Sequence, residues 1–199
     1  MFDTILAATT NQGKVKEIKE ILSDFKIISL KEAGIDVDVD ENGATFSENA
    51  YIKAKEISHL TNLPVLADDS GLEIKALGGR PGVYSARYAG EDTPYNIKVQ
   101  KLTEELSKIP ENERFAQFSC AVCLILPNGE KIEATGVSCP GILIDAPRGE
   151  NGFGYDPYFY SIDYKKTFSE MSMEEKNQVS HRKAALVALL SKIKGEINI

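Results

Sequence analysis

The sequence predicts an α/β fold: a long mixed β-sheet flanked by helices. An apolar strand near the N-terminus leads through a polar loop into an amphipathic helix, which is typical of the start of a parallel βαβ unit. Further along, Pro127-Asn128-Gly129 separates two strand-like runs and indicates a hairpin. Parallel pairing early in the chain and antiparallel pairing late in the chain make the sheet mixed. Since no linker or repeat interrupts the 199 residues, we expect one domain over residues 1–199.

The composition disfavours several classes of function. A formal net charge of −7 argues against a surface that coats nucleic acid, because such a surface needs a basic face. No apolar run approaches the ~20 residues of a membrane span, and the N-terminus lacks the basic lead-in of a signal peptide. The three cysteines are an odd number, which is consistent with a reducing compartment. We therefore expect a cytoplasmic protein that binds neither nucleic acid nor membranes.

The first strand, Thr4–Ala8, is followed by the polar loop Thr9-Thr10-Asn11-Gln12-Gly13-Lys14 and then by a helix. Free N–H groups, the positive end of the helix dipole and the Lys14 ammonium would meet here and favour an anion. The loop is not a Walker A motif, because Ala8 stands in place of its first glycine and Val15 in place of its metal-binding hydroxyl. An ordinary turn with a solvated lysine is the alternative interpretation.

Acidic residues alternate with apolar ones at residues 36–41, before the second helix. This alternation is typical of an edge strand or of a loop that presents carboxylates to water. The next helix is expected to begin at Thr45, because Thr45-Phe46-Ser47-Glu48 matches a capping box. Glu48 is therefore assigned to the helix cap, whereas no structural role is evident for Glu41. Of the two, Glu41 is the better candidate metal ligand.

The centre of the chain carries the strongest catalytic signal. The apolar run Val65-Leu66-Ala67 stops at Asp68 and Asp69, which are followed by Ser70 and Gly71. A buried strand that ends in this way would deliver two carboxylates to the carboxyl edge of the sheet, where α/β proteins bind ligands. Paired acids beside a hydroxyl favour phosphate and metal chemistry. A strand that ends in an ordinary polar turn is the alternative.

A long strand is predicted over residues 114–126, with its antiparallel partner at Lys131–Val137. It contains Cys120 and Cys123 at the spacing of a redox motif. Residues three apart on a strand face opposite sides, so the two sulfur atoms should not meet. We interpret both cysteines as packing residues. Upstream of this strand, Thr93-Pro94 is expected to cap a helix whose apolar positions face inward.

Two segments near the C-terminus combine aromatic, glycine and cationic residues. In Gly152-Phe153-Gly154-Tyr155-Asp156 the glycines would let backbone and ring approach a flat ligand, which favours base stacking over a simple turn. A second capping box, Ser172–Glu175, begins a short helix that carries Lys176. Ser180-His181-Arg182-Lys183 begins the last helix, where cationic side chains oppose the helix dipole. A bound anion or base edge would account for these side chains, and exposure to solvent is the alternative.

Taken together, six segments resemble the inosine triphosphate pyrophosphatase family, whose members remove non-standard purine nucleotides. The segments are Thr9–Lys14, Thr45–Ala50, Ala67–Leu72, Pro81–Tyr88, Gly152–Pro157 and Ser180–Arg182. They occur in the family's order over essentially the whole chain, which makes the resemblance specific. One departure is Thr10, which stands where bacterial relatives often have glycine. It should change the stiffness of the loop more than its chemistry.

The resemblance implies a fold and an activity. The fold would be a long mixed sheet with helices on both sides, two lobes and a central cleft, in a homodimer. The activity would be hydrolysis of purine nucleoside triphosphates such as ITP, dITP and XTP to the monophosphate and pyrophosphate. The cofactor would be Mg²⁺, with Mn²⁺ able to replace it.

The same resemblance implies a role for each candidate site residue. Asp69 would be the general base and a metal ligand, and Glu41 would be a second metal ligand. Asp68 and Ser70 would support that site. The residues that would contact the substrate are Thr9, Thr10, Asn11, Gln12, Gly13, Lys14 and Ser70 around the phosphates, Phe153, Gly154, Tyr155 and Asp156 around the base and sugar, and Lys176, His181 and Arg182 at the purine edge.

Three other functions stay open as alternatives. A Maf-like pyrophosphatase would share the phosphate chemistry but prefer pyrimidine or modified bases. A nucleotide sensor without turnover gains nothing from carboxylates beside phosphates, so Asp68 and Asp69 argue against it. A P-loop kinase or NTPase is disfavoured by Ala8 and Val15. Analysis of the products formed from ITP and from ATP distinguishes these classes.

Overall fold

The structure, a computed structural model, describes residues 2–196. Its strands are β1 (Thr4–Ala7), β2 (Lys26–Ser29), β3 (Val65–Ile74), β4 (Phe115–Ile125), β5 (Lys131–Val137), β6 (Gly141–Leu143), β7 (Phe159–Ser161) and β8 (Lys166–Thr167). Its α-helices are α1 (Gln12–Ile21), α2 (Phe46–Ser58), α3 (Tyr95–Glu105), α4 (Met173–Val179) and α5 (His181–Glu196). Within residues 2–196, no helix is long and apolar enough to cross a membrane.

The strands form an eight-stranded mixed sheet, which confirms the predicted fold class. Their order is β2-β1-β3-β4-β6-β7-β8, with β5 paired to β4. β1 is parallel to β2 and β3, whereas β6 is antiparallel to β4 and β7, and β7 is antiparallel to β8. The turn between β4 and β5 closes with hydrogen bonds from Gly129 N to Leu126 O and from Leu126 N to Glu130 O, as expected for the predicted hairpin.

The chain divides into two compact units. Unit 1 comprises Met1–Asp69, Cys120–Gly136 and Arg182–Ile199, and unit 2 comprises Ser70–Ser119 and Val137–His181. β3 and β4 each contribute residues to both units.

Unit 1 has helices on both sides of its strands. Successive side chains of a strand face opposite sides, so each face of the strands carries apolar residues that a helix covers. One face packs on α1 and α5 through a core that includes Ile5, Ile18, Leu66, Cys120, Val122 and Leu189. The other face packs on α2 through a core that includes Leu6, Ala54, Ile57, Ala67, Ala121 and Cys123. Cys120 and Cys123 therefore belong to different faces, and both are free thiols, which confirms that they are packing residues.

The core of unit 2 is rich in aromatic residues. α3 contributes Val99 and Leu102 to a cluster that also contains Leu72 and Ile74 of β3. Around Phe118 of β4, the ring centroids of two other phenylalanines lie 5.0 and 5.7 Å away. Such close aromatic packing stabilises a small core beyond the burial of apolar area.

β3 does not stop at its two carboxylates, as the sequence suggested, but continues to Ile74. The apolar pattern resumes at Leu72, which is buried in the core of unit 2. Between the carboxylates and Leu72, a Cβ on Gly71 would lie 2.2 Å from Gly82 O and 2.5 Å from Ser85 Oγ, so only glycine fits. Ser85 Oγ in turn accepts a hydrogen bond from Leu72 N at 2.9 Å. The acids therefore lie within a strand and not at its end.

The start of α3 differs from the prediction. α3 begins at Tyr95 with Pro94 at the N-cap and no side-chain cap, so the prediction that Thr93 caps this helix is wrong. The Thr93 hydroxyl instead donates to Ala89 O at 2.8 Å, which ties it to the preceding turn. Residues 36–41 form a loop, which is one of the two structures that their alternating pattern allowed.

Candidate active site

The two adjacent carboxylates of β3 face opposite sides of the strand. Leu66 lies in the core under α1 and α5, and Ala67 lies in the core under α2. Because strand side chains alternate, Asp68 follows Leu66 to the side of α1 and α5, while Asp69 follows Ala67 to the side of α2. One strand thus supplies a carboxylate to each of two separate environments.

On its side, Asp68 contacts two cationic side chains through one of its oxygens. Asp68 Oδ2 lies 3.1 Å from Lys14 Nζ, and it accepts hydrogen bonds from Arg182 Nη2 at 2.9 Å and Arg182 Nε at 3.1 Å. The Asp68 and Arg182 side chains are each only 1% exposed. Burial alone would raise the pKa of Asp68, but the charges of Lys14 and Arg182 outweigh it and hold the pKa well below its usual range. Asp68 is therefore an ionised structural anchor.

On the opposite side, Asp69 contacts an amide and an ammonium group of α2. Asn49 Nδ2 donates to Asp69 Oδ2 at 2.9 Å, and Lys53 Nζ lies 3.9 Å from Asp69 Oδ1. The same Lys53 Nζ lies 3.1 Å from Glu41 Oε1. Burial raises the pKa of Asp69 above its usual value, against the opposing charge of Lys53. A carboxyl group with a raised pKa is a better proton acceptor when it is ionised.

The start of α2 positions this second environment. Thr45 Oγ1 accepts from Glu48 N, and Glu48 Oε2 accepts from Thr45 N at 3.2 Å, so the predicted capping box is present. Asn49 Oδ1 accepts from Gly43 N at 2.8 Å, and a Cβ on Gly43 would lie 2.7 Å from that oxygen. The preceding loop is thereby held against the helix, and Glu48 is used by the cap.

The Glu41 and Asp69 carboxylates form a donor set that suits a hard divalent cation. Both approach a single positive group, the ammonium of Lys53. Carboxylate oxygens are the ligands that Mg²⁺ prefers in proteins. Among the residues that the structure describes, three or more His, Cys, Asp or Glu side chains do not cluster as a complete metal site. The protein could therefore supply two ligands, and substrate or water would supply the others.

The polar loop before α1 has the geometry of an anion site. Asn11 is the N-cap of α1, and its side chain accepts from Lys14 N at 3.2 Å. Thr9 Oγ1 accepts from Asn11 N at 3.2 Å, which fixes the turn. The first amides of a helix, here those of Gln12 and Gly13, have no acceptor within the helix and are available to an anion. Thr10 is exposed at the loop surface.

Unit 2 contains the second group of predicted site residues. Lys176 Nζ lies 2.6 Å from Asp156 Oδ2, and both side chains are 4% exposed. Phe153 N donates to the same Asp156 oxygen at 2.8 Å, and Lys176 Nζ lies 5.0 Å from the centroid of the Phe153 ring. A Cβ on Gly152 would lie 2.2 Å from Asp156 Oδ2. The structure thus brings an aromatic face, a buried cation and a carboxylate together.

The remaining predicted site residues of unit 2 come from three separate parts of the sequence. The Tyr155 ring meets the Tyr95 ring edge-on at 4.9 Å, and the Tyr155 hydroxyl donates to Ser85 O at 3.0 Å. Gly154 has a φ of 67°, which favours glycine. The His181 ring stacks on another aromatic ring, that of Phe118, at 4.9 Å. Ser70 follows the two carboxylates in β3 and is half-buried.

Known proteins share the sequence and the fold of this chain. The sequence profile of the Ham1 family matches residues 5–192. The chain belongs to the Ham1 family. A relative from Clostridium perfringens named dITP/XTP pyrophosphatase is 50% identical over 198 residues, which cover 96% of this chain and 97% of that protein. A relative of the same name from Bacillus subtilis is 46% identical over 186 residues, which cover 92% of this chain and 93% of that protein.

Solved structures of Ham1 proteins agree with this assignment. The Staphylococcus aureus Ham1 protein has a TM-score of 0.83 at 42% identity, covering 97% of this chain and 99% of its own. A HAM1 protein from Coxiella burnetii has a TM-score of 0.84 at 41% identity, covering 98% of this chain and 100% of its own. These similarities confirm the family that the six sequence segments indicated.

Three residues that contact the candidate site residues were not identified from the sequence. Asn49 and Lys53 follow each other at helical spacing next to the buried Ala50 and Ala54, and this spacing could have indicated that both face β3. Glu17 is 1% exposed although it lies in a surface helix, and its sequence neighbour Ile18 was the only hint of that burial. Its carboxylate pairs with Arg182.

Arg182 lies where the sequence did not place it. The prediction assigned its guanidinium to the purine edge, and in the structure this group is bonded to Asp68 and Glu17 within unit 1. The charge that appeared misplaced at the start of α5 therefore has acidic partners inside the protein. Its role toward a base stays a prediction.

Proposed function

We propose that this Ham1-family chain hydrolyses dITP, ITP and XTP to the nucleoside monophosphate and pyrophosphate. The observation that carries the proposal is that two adjacent carboxylates have different cationic partners. Asp68 anchors the cations Lys14 and Arg182, whereas Asp69 shares Lys53 with Glu41. One acid thus orders the cation that we assign to phosphate, and the other is the acid that we assign to water and metal. The name dITP/XTP pyrophosphatase, carried by relatives of this chain, supports the same reaction.

The loop before α1 is the proposed phosphate site. Thr9, Thr10, Asn11, Gln12 and Gly13 supply hydroxyl, amide and backbone donors, and Lys14 supplies the cation. A triphosphate carries several negative charges, and a helix N-terminus with an ammonium offsets them at short range. The salt bridge to Asp68 holds Lys14 in place before substrate binds, so less side-chain freedom is lost on binding.

Mg²⁺ is the metal that we infer for the reaction, with Glu41 and Asp69 as its protein ligands and Mn²⁺ able to replace it. Two carboxylates plus substrate phosphates and waters suit an ion that prefers octahedral oxygen coordination. Bound there, the ion would offset charge on the phosphates. Both ligand carboxylates already approach one cation, Lys53, which supports the choice of residues.

Asp69 is the proposed general base. It orients a water and accepts its proton as the water oxygen forms a bond to the α-phosphorus. The bond from the α-phosphorus to the bridging oxygen breaks on the opposite side, and pyrophosphate leaves. Asn49 Nδ2 donates to Asp69 Oδ2 at 2.9 Å, and Lys53 Nζ lies 3.9 Å from Asp69 Oδ1, so both contacts help to orient the carboxylate. A carboxylate bound to a metal is a weaker base, so part of its contribution is to position the water.

The base is selected by a donor and an acceptor in unit 2. Hypoxanthine and xanthine present a 6-oxo acceptor beside an N1–H donor, whereas adenine presents a 6-amino donor beside an N1 acceptor. Lys176 supplies a buried donor and Asp156 a buried acceptor, and Phe153 offers a ring on which the base can stack. Pairing of this kind rejects the reversed pattern by up to about 10⁴-fold, because buried polar groups are left unpaired. His181 is a further proposed donor at this edge.

We also infer that the protein is a cytoplasmic homodimer, as the family resemblance implies. In unit 2, the apolar side chains of Tyr84, Phe115 and Val137 are 56%, 45% and 54% exposed, and their burial against a second copy would stabilise a dimer. Sedimentation equilibrium of the purified chain should give twice the monomer mass. A monomer mass at every concentration would contradict the dimer.

Product analysis tests the proposed function. The purified protein is incubated with ITP or with ATP, each with and without Mg²⁺, and the nucleotides are separated by chromatography. We expect IMP and pyrophosphate from ITP, little product from ATP, and no product without metal. IDP with inorganic phosphate would place the attack on the γ-phosphorus and contradict the proposal. Binding of ITP without turnover would indicate a sensor.

A further inference from the structure

Glu17 is a buried carboxylate that the proposed reaction does not use. It lies in α1, and its side chain is 1% exposed. A buried carboxylate is costly unless it is paired and hydrogen-bonded, so its position needs a physical reason. Its partner is Nη1 of Arg182, which is buried to the same extent.

Glu17 and Lys14 belong to one ring of interactions. Arg182 bonds to Glu17 through Nη1 and to Asp68 Oδ2 through Nη2 and Nε. The same Asp68 oxygen lies 3.1 Å from Lys14 Nζ. Lys14 and Glu17 are three residues apart in α1 and therefore share one face of the helix. The ring thus runs from Lys14 to Asp68, Arg182 and Glu17, and one helical turn closes it.

The two positive and two negative charges of the ring balance. Lys14 and Arg182 are cations, and Asp68 and Glu17 are anions, so removal of Glu17 leaves a net positive charge in a buried place. Asp68 Oδ1 is buried and has no hydrogen-bond partner among the residues that the structure describes. Asp68 is therefore positioned mainly through Oδ2, the oxygen that Lys14 and Arg182 share.

We propose that Glu17 is a positioning residue for phosphate binding, which acts by holding Arg182 so that Asp68 fixes the ammonium of Lys14. This inference rests on the proposed function only in assigning Lys14 to phosphate. Without the Glu17 carboxylate, the Arg182 guanidinium shifts toward its remaining anionic partner, Asp68. Asp68 then holds Lys14 less firmly at the start of the helix, and phosphate binding weakens.

The test is a double-mutant cycle read by calorimetry with inorganic triphosphate and Mg²⁺, which requires no turnover. We expect Glu17→Gln to raise the Kd of inorganic triphosphate about tenfold in the wild-type background. In a Lys14→Met background the same change should alter the Kd by less than about twofold, because coupled residues are not additive. Glu20→Gln, at an exposed position of the same helix, is the matched control and should leave the Kd unchanged.

Kinetics provide a second measurement. Glu17→Gln should lower kcat/KM for ITP and for ATP by the same factor, mainly through KM, because both substrates carry the same phosphates. A changed preference between the two bases would overturn the proposal, since Glu17 would then act on the base through Arg182. An equal rise in Kd with and without Lys14 would also overturn it, because a purely structural loss does not depend on Lys14.

Two controls keep these outcomes distinct. If Glu17→Gln does not fold, Glu17→Asp replaces it, because this variant keeps the charge and shortens the side chain by one methylene. The Kd of inorganic triphosphate is then measured for Glu17→Asp with and without Lys14→Met. Failure of both variants to fold would overturn the proposal, because Glu17 would then serve the fold itself. Failure of the wild-type protein to bind inorganic triphosphate would overturn it as well. Normal coupling in a protein that does not hydrolyse ITP would instead contradict the proposed function alone.

Discussion

Asp68 and Asp69 are consecutive residues of β3, yet the pKa values of their carboxyl groups shift in opposite directions. Lys14 and Arg182 overcome the effect of burial and lower the pKa of Asp68, whereas burial dominates at Asp69 and raises its pKa. The cause is the alternation of side chains along a strand, which gives each acid a different helical neighbourhood. One short segment therefore supplies both an ionised anchor and a proton acceptor.

Replacement of Asp69 should separate activity from stability. Asp69→Asn is expected to lower kcat for ITP by about 10²- to 10⁴-fold, the usual contribution of a general base. The folded state raises the pKa of Asp69, so the ionised group opposes folding at neutral pH. The variant should therefore melt at a higher temperature than the wild-type protein.

The pH dependence of that gain is the control. Below the ordinary aspartate pKa of ~3.9, Asp69 is protonated in both the folded and the unfolded chain, so the gain in melting temperature should disappear there. Activity close to that of the wild-type protein would remove Asp69 from the chemistry.

Lys53 should compete with the metal. Its ammonium lies between Glu41 and Asp69, so Lys53→Met leaves two carboxylates without their shared cation. We expect the metal-free variant to melt about 4–8 °C lower, equivalent to about 2 kcal/mol. Added Mg²⁺ should recover at least half of this loss, because a bound ion replaces the missing charge and stabilises the folded state by mass action.

Lys55→Met is the matched control for this comparison. Lys55 lies on the exposed side of the same helix, with its Nζ 5.6 Å from the Tyr51 ring centroid. Mg²⁺ should raise the melting temperature of this variant by the same amount as that of the wild-type protein. Equal stabilisation of Lys53→Met and wild-type protein by Mg²⁺ would place the metal elsewhere.

Asn49 should tune the proton affinity of Asp69. Its side-chain amide favours the ionised carboxylate, so its loss raises the pKa of Asp69 further. Asn49→Ala is expected to move the acidic limb of the kcat/KM profile to higher pH and to reduce activity about tenfold. Asn49→Asp should move that limb further, because a second negative charge lies beside Asp69. Asn42→Ala, in the exposed preceding loop, should leave the profile unchanged.

Lys176 should set the preference for a 6-oxo purine. Lys176→Met is expected to lower kcat/KM for ITP by about 10²-fold and to affect ATP much less, because the 6-oxo group of ITP accepts from this ammonium and the 6-amino group of ATP does not. The change also leaves Asp156 without its partner at 2.6 Å. The double variant Lys176→Met with Asp156→Asn avoids a buried unpaired charge and should show the same narrowed preference. An unchanged preference in both variants would assign base selection to other residues.

The features that the sequence predicted correctly depend on residues close together in the chain. The Thr45–Glu48 capping box, the turn at Asn128-Gly129 and the opposed faces of Cys120 and Cys123 are each set within a few residues. Local backbone geometry and strand alternation determine them before any tertiary contact forms.

The features that the sequence did not predict depend on distant partners. Arg182 is separated from Asp68 by 114 residues and from Glu17 by 165, and its environment is decided only when α1, β3 and α5 come together. For the same reason β3 was expected to end at its carboxylates, because the cations that neutralise one of them lie elsewhere in the chain. Local polarity indicated a strand end where tertiary charge pairing sustains the strand.

The central claim is that water attacks the α-phosphorus of the nucleotide. The most direct test is hydrolysis of ITP in ¹⁸O-labelled water under single-turnover conditions, followed by mass spectrometry of both products. We expect one heavy oxygen in IMP and none in pyrophosphate, because the water that Asp69 activates becomes part of the monophosphate. Heavy oxygen in pyrophosphate, with none in IMP, would place the attack on the β-phosphorus and contradict the geometry proposed for Asp69 and Glu41.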